Sequence, residues 1–270
     1  MLSSFLKASK EIVYNERFSL SNGFLQSIDP RVKVFSFTAF ILVAIVSKSI
    51  LPLITLVTMT FIFSIASKIP LRFFTLRTAF ALIFVALIAL PLPFVTPGSP
   101  IATIGNNGYL ISITSEGLFK ALQFVLRVWA CITPLILLTL TTRFSSLIHS
   151  LERFRVPRVF TNMMSVTYRF IFLFIDEAYR MILARESRTV RGESCLRATK
   201  ALASMMSTLF IRSYERGERV YLAMMARGYE GNIRSITRMS INGRDMIFGF
   251  FAIAMCMMII SLEYLHIGVV

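Results

Sequence analysis

Acidic residues, histidine and cysteine are scarce in this chain. Its 270 residues hold 14 Asp and Glu against 29 Lys and Arg, with two histidines and three cysteines. Cys131, Cys195 and Cys256 are scattered and form no C-x-x-C pair, which argues against a disulfide framework and against a zinc site. His149 and His266 stand alone. No cluster of His, Cys and carboxylates has metal-ligand spacing, so no metal is expected on this chain. No G-x-x-x-x-G-K-[ST] segment occurs, so the chain is expected neither to bind nor to hydrolyse ATP. Ser and His lack the acidic neighbour that hydrolase chemistry needs. The expected lists of catalytic and of cofactor-binding residues are therefore empty. Residues 1–17 are polar and mixed, with no apolar core and no small-residue cleavage site, so no removable signal peptide is expected.

What is abundant is apolar. Hydrophobic residues make up 56% of the chain and the mean hydropathy is +0.70, values that point to a polytopic membrane protein and to an all-α fold. The formal net charge of +15 gathers between the apolar runs. That placement reads as topology, with cations on the cytoplasmic side, before it reads as nucleic-acid binding.

Residues 1–31 read as a cytoplasmic, amphipathic lead-in. Asp29-Pro30-Arg31-Val32-Lys33 reads as a turn and helix start, with Asp29 capping free N–H groups and Pro30 at the first helical position. Apolar runs over 34–46, 50–66, 78–95, 118–140 and 246–262 predict about five crossings. The first is short against the ~20 residues a crossing needs. Ser47-Lys48-Ser49 separates the first two runs. Lys68, Arg72 and Arg77 mark a return to the cytoplasm. Residues 96–117 carry no Lys or Arg and are expected outside. The fourth run contains Arg127 and Pro134, so part of it is expected to face protein.

From 141 to 244 arginine recurs and the pattern changes to long amphipathic helices. Phe172, Ile175, Tyr179 and Ile182 form one apolar stripe, and Asp176 and Arg180 are spaced to pair. Leu202, Met206, Leu209, Val220 and Met224 form a second stripe. Arg212, Arg216 and Arg219 form a basic face, with Glu215 four residues before Arg219. Each helical pattern ends in an Ala-Arg pair: Ala184-Arg185-Glu186 and Ala226-Arg227-Gly228. A cation at a helix C-terminus is favoured by the dipole, and glycine there suits a helix stop. Two such pairs in one cytoplasmic segment point further, because an Arg fork makes bidentate bonds to a carboxylate in a partner groove. The expected division is 1–140 transmembrane, 141–244 cytoplasmic, and 245–270 a last transmembrane helix.

These residues resemble the transmembrane T component of energy-coupling factor (ECF) transporters, importers of the ABC class. The opening motif is Asp29-Pro30-Arg31-Val32-Lys33. The first signature runs from Tyr168-Arg169-Phe170 through Asp176-Glu177-Ala178 to Ala184-Arg185-Glu186-Ser187-Arg188. The second is Glu215-Arg216-Gly217-Glu218-Arg219-Val220-Tyr221 followed by Ala226-Arg227-Gly228-Tyr229-Glu230-Gly231. Their wording most resembles the cobalt and nickel branch. Glu186 departs from the pattern, standing where the family often has a small residue.

The resemblance implies a non-enzymatic scaffold in a prokaryotic cell membrane, multi-pass, with a cytoplasmic amino terminus. It implies two ABC-type ATPase subunits that bind the ATP, and a small substrate-binding membrane subunit, the S component. Ala184, Arg185, Glu186, Ala226, Arg227 and Gly228 would dock the ATPases. The cargo would be cobalt or nickel ion, with a vitamin such as biotin or another B vitamin as the alternative. Met205, Met206, Met224 and Met225 suit an adaptable sliding surface or an ordinary core. A self-contained carrier or channel is the competing class, resting on Arg127. It lacks a repeated pair of halves. A nucleic-acid binder is disfavoured by interleaved glutamates and the absence of an aromatic platform, so no nucleic acid is expected as a partner.

Overall fold

A computed structural model describes residues 23–104, 111–154, 156–188, 194–231 and 242–267. Most of the lead-in, Asn106-Asn107, and arginines 155, 191, 234 and 238 lie outside them. The described residues form two compact units. One holds residues 145–238 and the other residues 18–144 and 239–270.

The larger unit is a helical bundle. It contains α1 (Pro30–Val46), α2 (Ile50–Ala66), α3 (Leu71–Ala89), the short α4 (Leu92–Val95), α5 (Ser115–Thr141) and α9 (Gly243–Ile267). Local chemistry sets the ends. Asp29 accepts the Arg31 N–H at 2.9 Å and Pro30 occupies the first turn of α1. Thr114 accepts the Gly117 N–H at 3.2 Å and caps α5. The α2 C-terminus closes with Ile69 N–H on the Ser64 carbonyl at 3.3 Å and Lys68 N–H on the Ile65 carbonyl at 3.0 Å. This Schellman pattern puts Lys68 at φ +54°.

α5 is the central helix and packs against α1, α2 and α3, while α9 packs against α1 and α2. Pro134 lies inside α5 and is buried against the neighbouring helices. Aromatic rings fill the core: Phe61 stands edge-on to Phe74 at 5.2 Å and to Trp129 at 6.1 Å, and Phe63 meets Phe248 at 5.6 Å. Phe80, Ile83, Phe84, Leu87 and Ile88 of α3 point outward instead. A bundle apolar both inside and out is suited to lipid, where packing and hydrogen bonds hold helices together. Thr58, Thr60, Thr75 and Thr78 satisfy their hydroxyls on carbonyls of the preceding turn.

Among the described residues three helical stretches are long and apolar enough to cross a membrane, by length and composition: Leu71–Val95, which joins α3 and α4, Ser115–Thr141 and Gly243–Glu263. α1 and α2 are shorter, 17 residues each, or about 25 Å at the α-helical rise. The five apolar runs therefore become α1, α2, α3 with the short α4, α5 and α9, and three of these stretches have full crossing length among the described residues. The loop expected over 96–117 holds a small antiparallel hairpin, β1 (Pro100–Ile104) and β2 (Ile111–Thr114), in register at Thr103 with Ser112. Its isoleucines and threonines suit strands, and the stretch is too short to have stood out against the apolar runs around it.

The second unit contains α6 (Phe144–Arg153), α7 (Arg158–Glu186) and α8 (Cys195–Ala226). α7 and α8 have 29 and 32 residues, about 43 and 48 Å long.

Candidate functional site

The arginine-tipped helices are antiparallel. Glu177 of α7 pairs with Arg212 of α8. The Asn162 side-chain amide, near the start of α7, donates to the Gly231 carbonyl just past α8 at 3.1 Å. Arg185 lies eight residues beyond Glu177, so it is level with the region of Ser204 on α8. Arg227 lies some 23 residues further along that helix. The two tips are thus at opposite ends of the pair, about 35 Å apart along it.

The tips are built differently. At the end of α8 the Gly228 N–H donates to the Met225 carbonyl at 3.0 Å and the Tyr229 N–H to the Met224 carbonyl at 3.1 Å. These are the two bonds of a Schellman motif, and Gly228 supplies the required left-handed residue at φ +77°. Ala226, Arg227 and Gly228 are all exposed. At the end of α7 the Ser187 hydroxyl donates to the Ala184 carbonyl at 2.9 Å and the Arg188 N–H to the Arg185 carbonyl at 3.0 Å. Ala184 and Glu186 are exposed and Arg185 is half-buried. Both arginines lie at helix C-termini, where the dipole favours a cation.

Between the tips, Phe172, Ile175, Tyr179 and Ile182 are half-buried along α7, as their spacing predicts. On α8 the half-buried line is Leu202, Met205, Leu209, Arg216, Val220 and Met224. Two expectations are corrected here. Met206 is 71% exposed, and Met205 takes its place in the stripe. Arg216 leans to the half-buried side, while Arg212 and Arg219 are exposed. Adjacent methionines differ by 100° around a helix, and composition does not say which one faces inward. The Arg219 Nε donates to the Glu215 carbonyl at 3.4 Å.

Met206, Phe210, Tyr214, Tyr221 and Met225 make an exposed apolar row along α8. Gly217 sits among them, and a Cβ added there would meet nothing within 4 Å. Sequence reasoning passed over Asn162. A buried amide in the run Phe160-Thr161-Asn162-Met163 was the available signal, because it must find a partner. Among the described residues no three His, Cys, Asp or Glu side chains converge as a metal site.

Arg127, the intramembrane charge, is placed by the bundle. Its Nη2 donates to the Ser47 carbonyl at 3.0 Å, at the C-terminal end of α1.

The family model for cobalt transport proteins, CbiQ, matches residues 21–239. An uncharacterized protein of Methanocaldococcus jannaschii is 34% identical over 261 residues, 96% of this chain and 89% of the relative. The energy-coupling factor transporter transmembrane protein EcfT of Listeria innocua is 30% identical over 227 residues, 80% of this chain and 84% of the relative. The cobalt transport protein CbiQ of Rhodobacter capsulatus is 29% identical over 186 residues, 68% of this chain and 71% of the relative.

Proposed function

Because the chain belongs to the CbiQ cobalt-transport family, the transmembrane T components of energy-coupling factor transporters, we propose that it is the scaffold and energy-coupling subunit of an ECF-type importer. It does no catalysis itself. Two ABC-type ATPase subunits bind the ATP and carry out its hydrolysis. Arg185 and Arg227 dock one ATPase each, with Ala184, Glu186, Ala226 and Gly228 shaping the contacts. The observation that carries this reading is the antiparallel pairing of α7 and α8, which supports two separate docking points at the ends of one lever. A pair of tips side by side would serve a single groove. About 35 Å between them leaves room for two subunits.

Each guanidinium offers a planar fork of donors to a carboxylate. Closure of the ATPases on ATP then moves both ends of the helix pair together. The exposed row of Met206, Phe210, Tyr214, Tyr221 and Met225 supplies the apolar surface on which a small substrate-binding membrane subunit would slide. Residues 141–244 are the cytoplasmic part in this reading, the amino terminus is cytoplasmic, and the bundle sits in the prokaryotic cell membrane.

The cargo is cobalt or nickel ion, on the wording of the motifs and the similarity to the cobalt transport protein of Rhodobacter capsulatus. Relatives named only as energy-coupling factor proteins keep a vitamin such as biotin as the second reading. The carrier alternative loses its main support, since Arg127 is engaged at the α1 C-terminus.

A mild-detergent pull-down of the tagged chain from native membranes tests the proposal. Two ABC-type ATPases, or two copies of one, are expected with a small hydrophobic protein. A chain that purifies alone and moves solute in liposomes without ATP overturns it.

A further inference from the structure

Among the described residues the chain leaves the bundle after Phe144 and comes back to it before α9. Both passages are tied to the same short stretch, residues 29–33 at the start of α1. Lys33 is fully buried, and its Nζ donates to the carbonyl of Thr141, the last residue of α5, at 3.2 Å. Asp245, in the first turn of α9, accepts the backbone N–H of Asp29 on Oδ1 at 2.8 Å. Its Oδ2 accepts the Asn242 N–H at 2.7 Å, the reciprocal half of a capping box. Asp29 and Asp245 are both buried. These bonds join positions 108 and 216 residues apart in sequence.

The other end of α1 is fastened to the same two helices. Arg127 of α5 reaches the Ser47 carbonyl, and Gln123 of α5 reaches the Lys48 carbonyl. Glu263 of α9 accepts the Ser47 hydroxyl at 2.5 Å and the Lys48 N–H at 2.6 Å. α1, α5 and α9 are therefore one braced frame. Burying an ammonium is costly, and a helix C-terminus could be closed by a neutral group instead. The cation gains a stiff, charge-assisted tie at the point where α5 hands the chain to the second unit.

We propose that residues 29–33 are the mechanical anchor of coupling: Lys33 grips α5 where the chain leaves the bundle and Asp245 of α9 grips the Asp29 backbone where it returns, so movement of residues 145–238 is delivered into α1 and not lost in the connecting turns. Lys33 and Asp245 are positioning residues. The inference rests on the coupling reading above.

The test uses the assembled complex of this chain with its ATPases and substrate-binding subunit in proteoliposomes. The variants are Lys33→Met, which keeps the apolar stem, and Asp245→Asn at the other passage. ATP hydrolysis and uptake, with cobalt(II) and nickel(II) as probes, are read together with amide hydrogen exchange with and without ATP and vanadate. Both variants are expected to assemble and hydrolyse ATP as wild type while uptake per ATP falls about tenfold, within the range of coupling free energies. In wild type, nucleotide should change exchange at 142–144, at 243–246 and along α1. In the variants the change should stop short of α1. A variant that still passes the change to α1, or a wild type that shows none there, overturns the anchor whatever the cargo. If no ATPase assembles with the wild-type chain, the coupling reading itself has failed. Lower uptake in strict proportion to hydrolysis, with assembly intact, also overturns the anchor.

Discussion

The Asn162 amide donates to the Gly231 carbonyl at 3.1 Å, across 69 residues, and Asn162 is only 6% exposed. This bond ties the start of α7 to the turn that follows the Arg227 tip. Gly231 holds φ +85°, a conformation that turns the chain sharply after the helix.

Replacing Asn162 with Leu should free the Gly231 turn. The loss of a buried hydrogen bond costs about 1–3 kcal/mol. Limited proteolysis should show earlier cleavage after α8, with cleavage in the bundle unchanged. Wild-type protection of that turn in the Asn162→Leu protein would rule out this tie.

The two arginines proposed to dock the ATPases, Arg185 and Arg227, should act together. Arg185→Ala with Arg227→Ala is expected to abolish uptake while the chain remains in the membrane, and each single change should weaken ATPase co-purification. Lysine at either position should rescue only in part, since it keeps the charge and loses the fork. Full uptake by the double variant sinks the docking assignment.

Gly228 and Gly217 should respond in opposite ways to alanine. At Gly228, with φ +77°, a Cβ costs about 1–2 kcal/mol and disturbs the Arg227 tip. At Gly217, in the helix interior and open on this chain, alanine should stabilise the isolated chain by up to about 1 kcal/mol. Thermal unfolding in detergent measures both. If Gly217→Ala stabilises the chain yet blocks uptake, a partner packs against that face.

Lys68 holds the position in the α2 Schellman motif that Gly228 holds in the α8 motif, at φ +54°. Lys68→Gly is therefore expected to raise stability by about 1 kcal/mol, as the left-handed strain is relieved. A lower melting temperature would show that the lysine side chain outweighs the backbone term.

Arg127→Met should loosen the turn between α1 and α2 and lower the melting temperature, by the loss of its bond to Ser47. Cargo preference should not change. A shift in preference between cobalt(II) and nickel(II) would return Arg127 to a transport pathway.

Much of the bundle was legible in the sequence. The apolar runs became helices, because a chain in lipid must satisfy its backbone within each segment. Asp29-Pro30 and Gly228 sit where capping chemistry asks for them, since caps depend on residues a few positions apart. The Phe172–Ile182 stripe kept its phase for the same local reason. Tertiary structure decided what depends on long-range pairing. It chose Met205 over Met206, because either neighbour fits a helix and only the facing helix selects one. It gave Arg127 a carbonyl at the far end of α1, and gave Lys33 and Asp245 their partners more than a hundred residues away. The Ala-Arg pairs were visible as motifs, but their positions at opposite ends of one helix pair follow from Glu177 meeting Arg212 and Asn162 meeting Gly231. Sequence periodicity sets which face of a helix is apolar, and only packing sets the direction in which its partner runs.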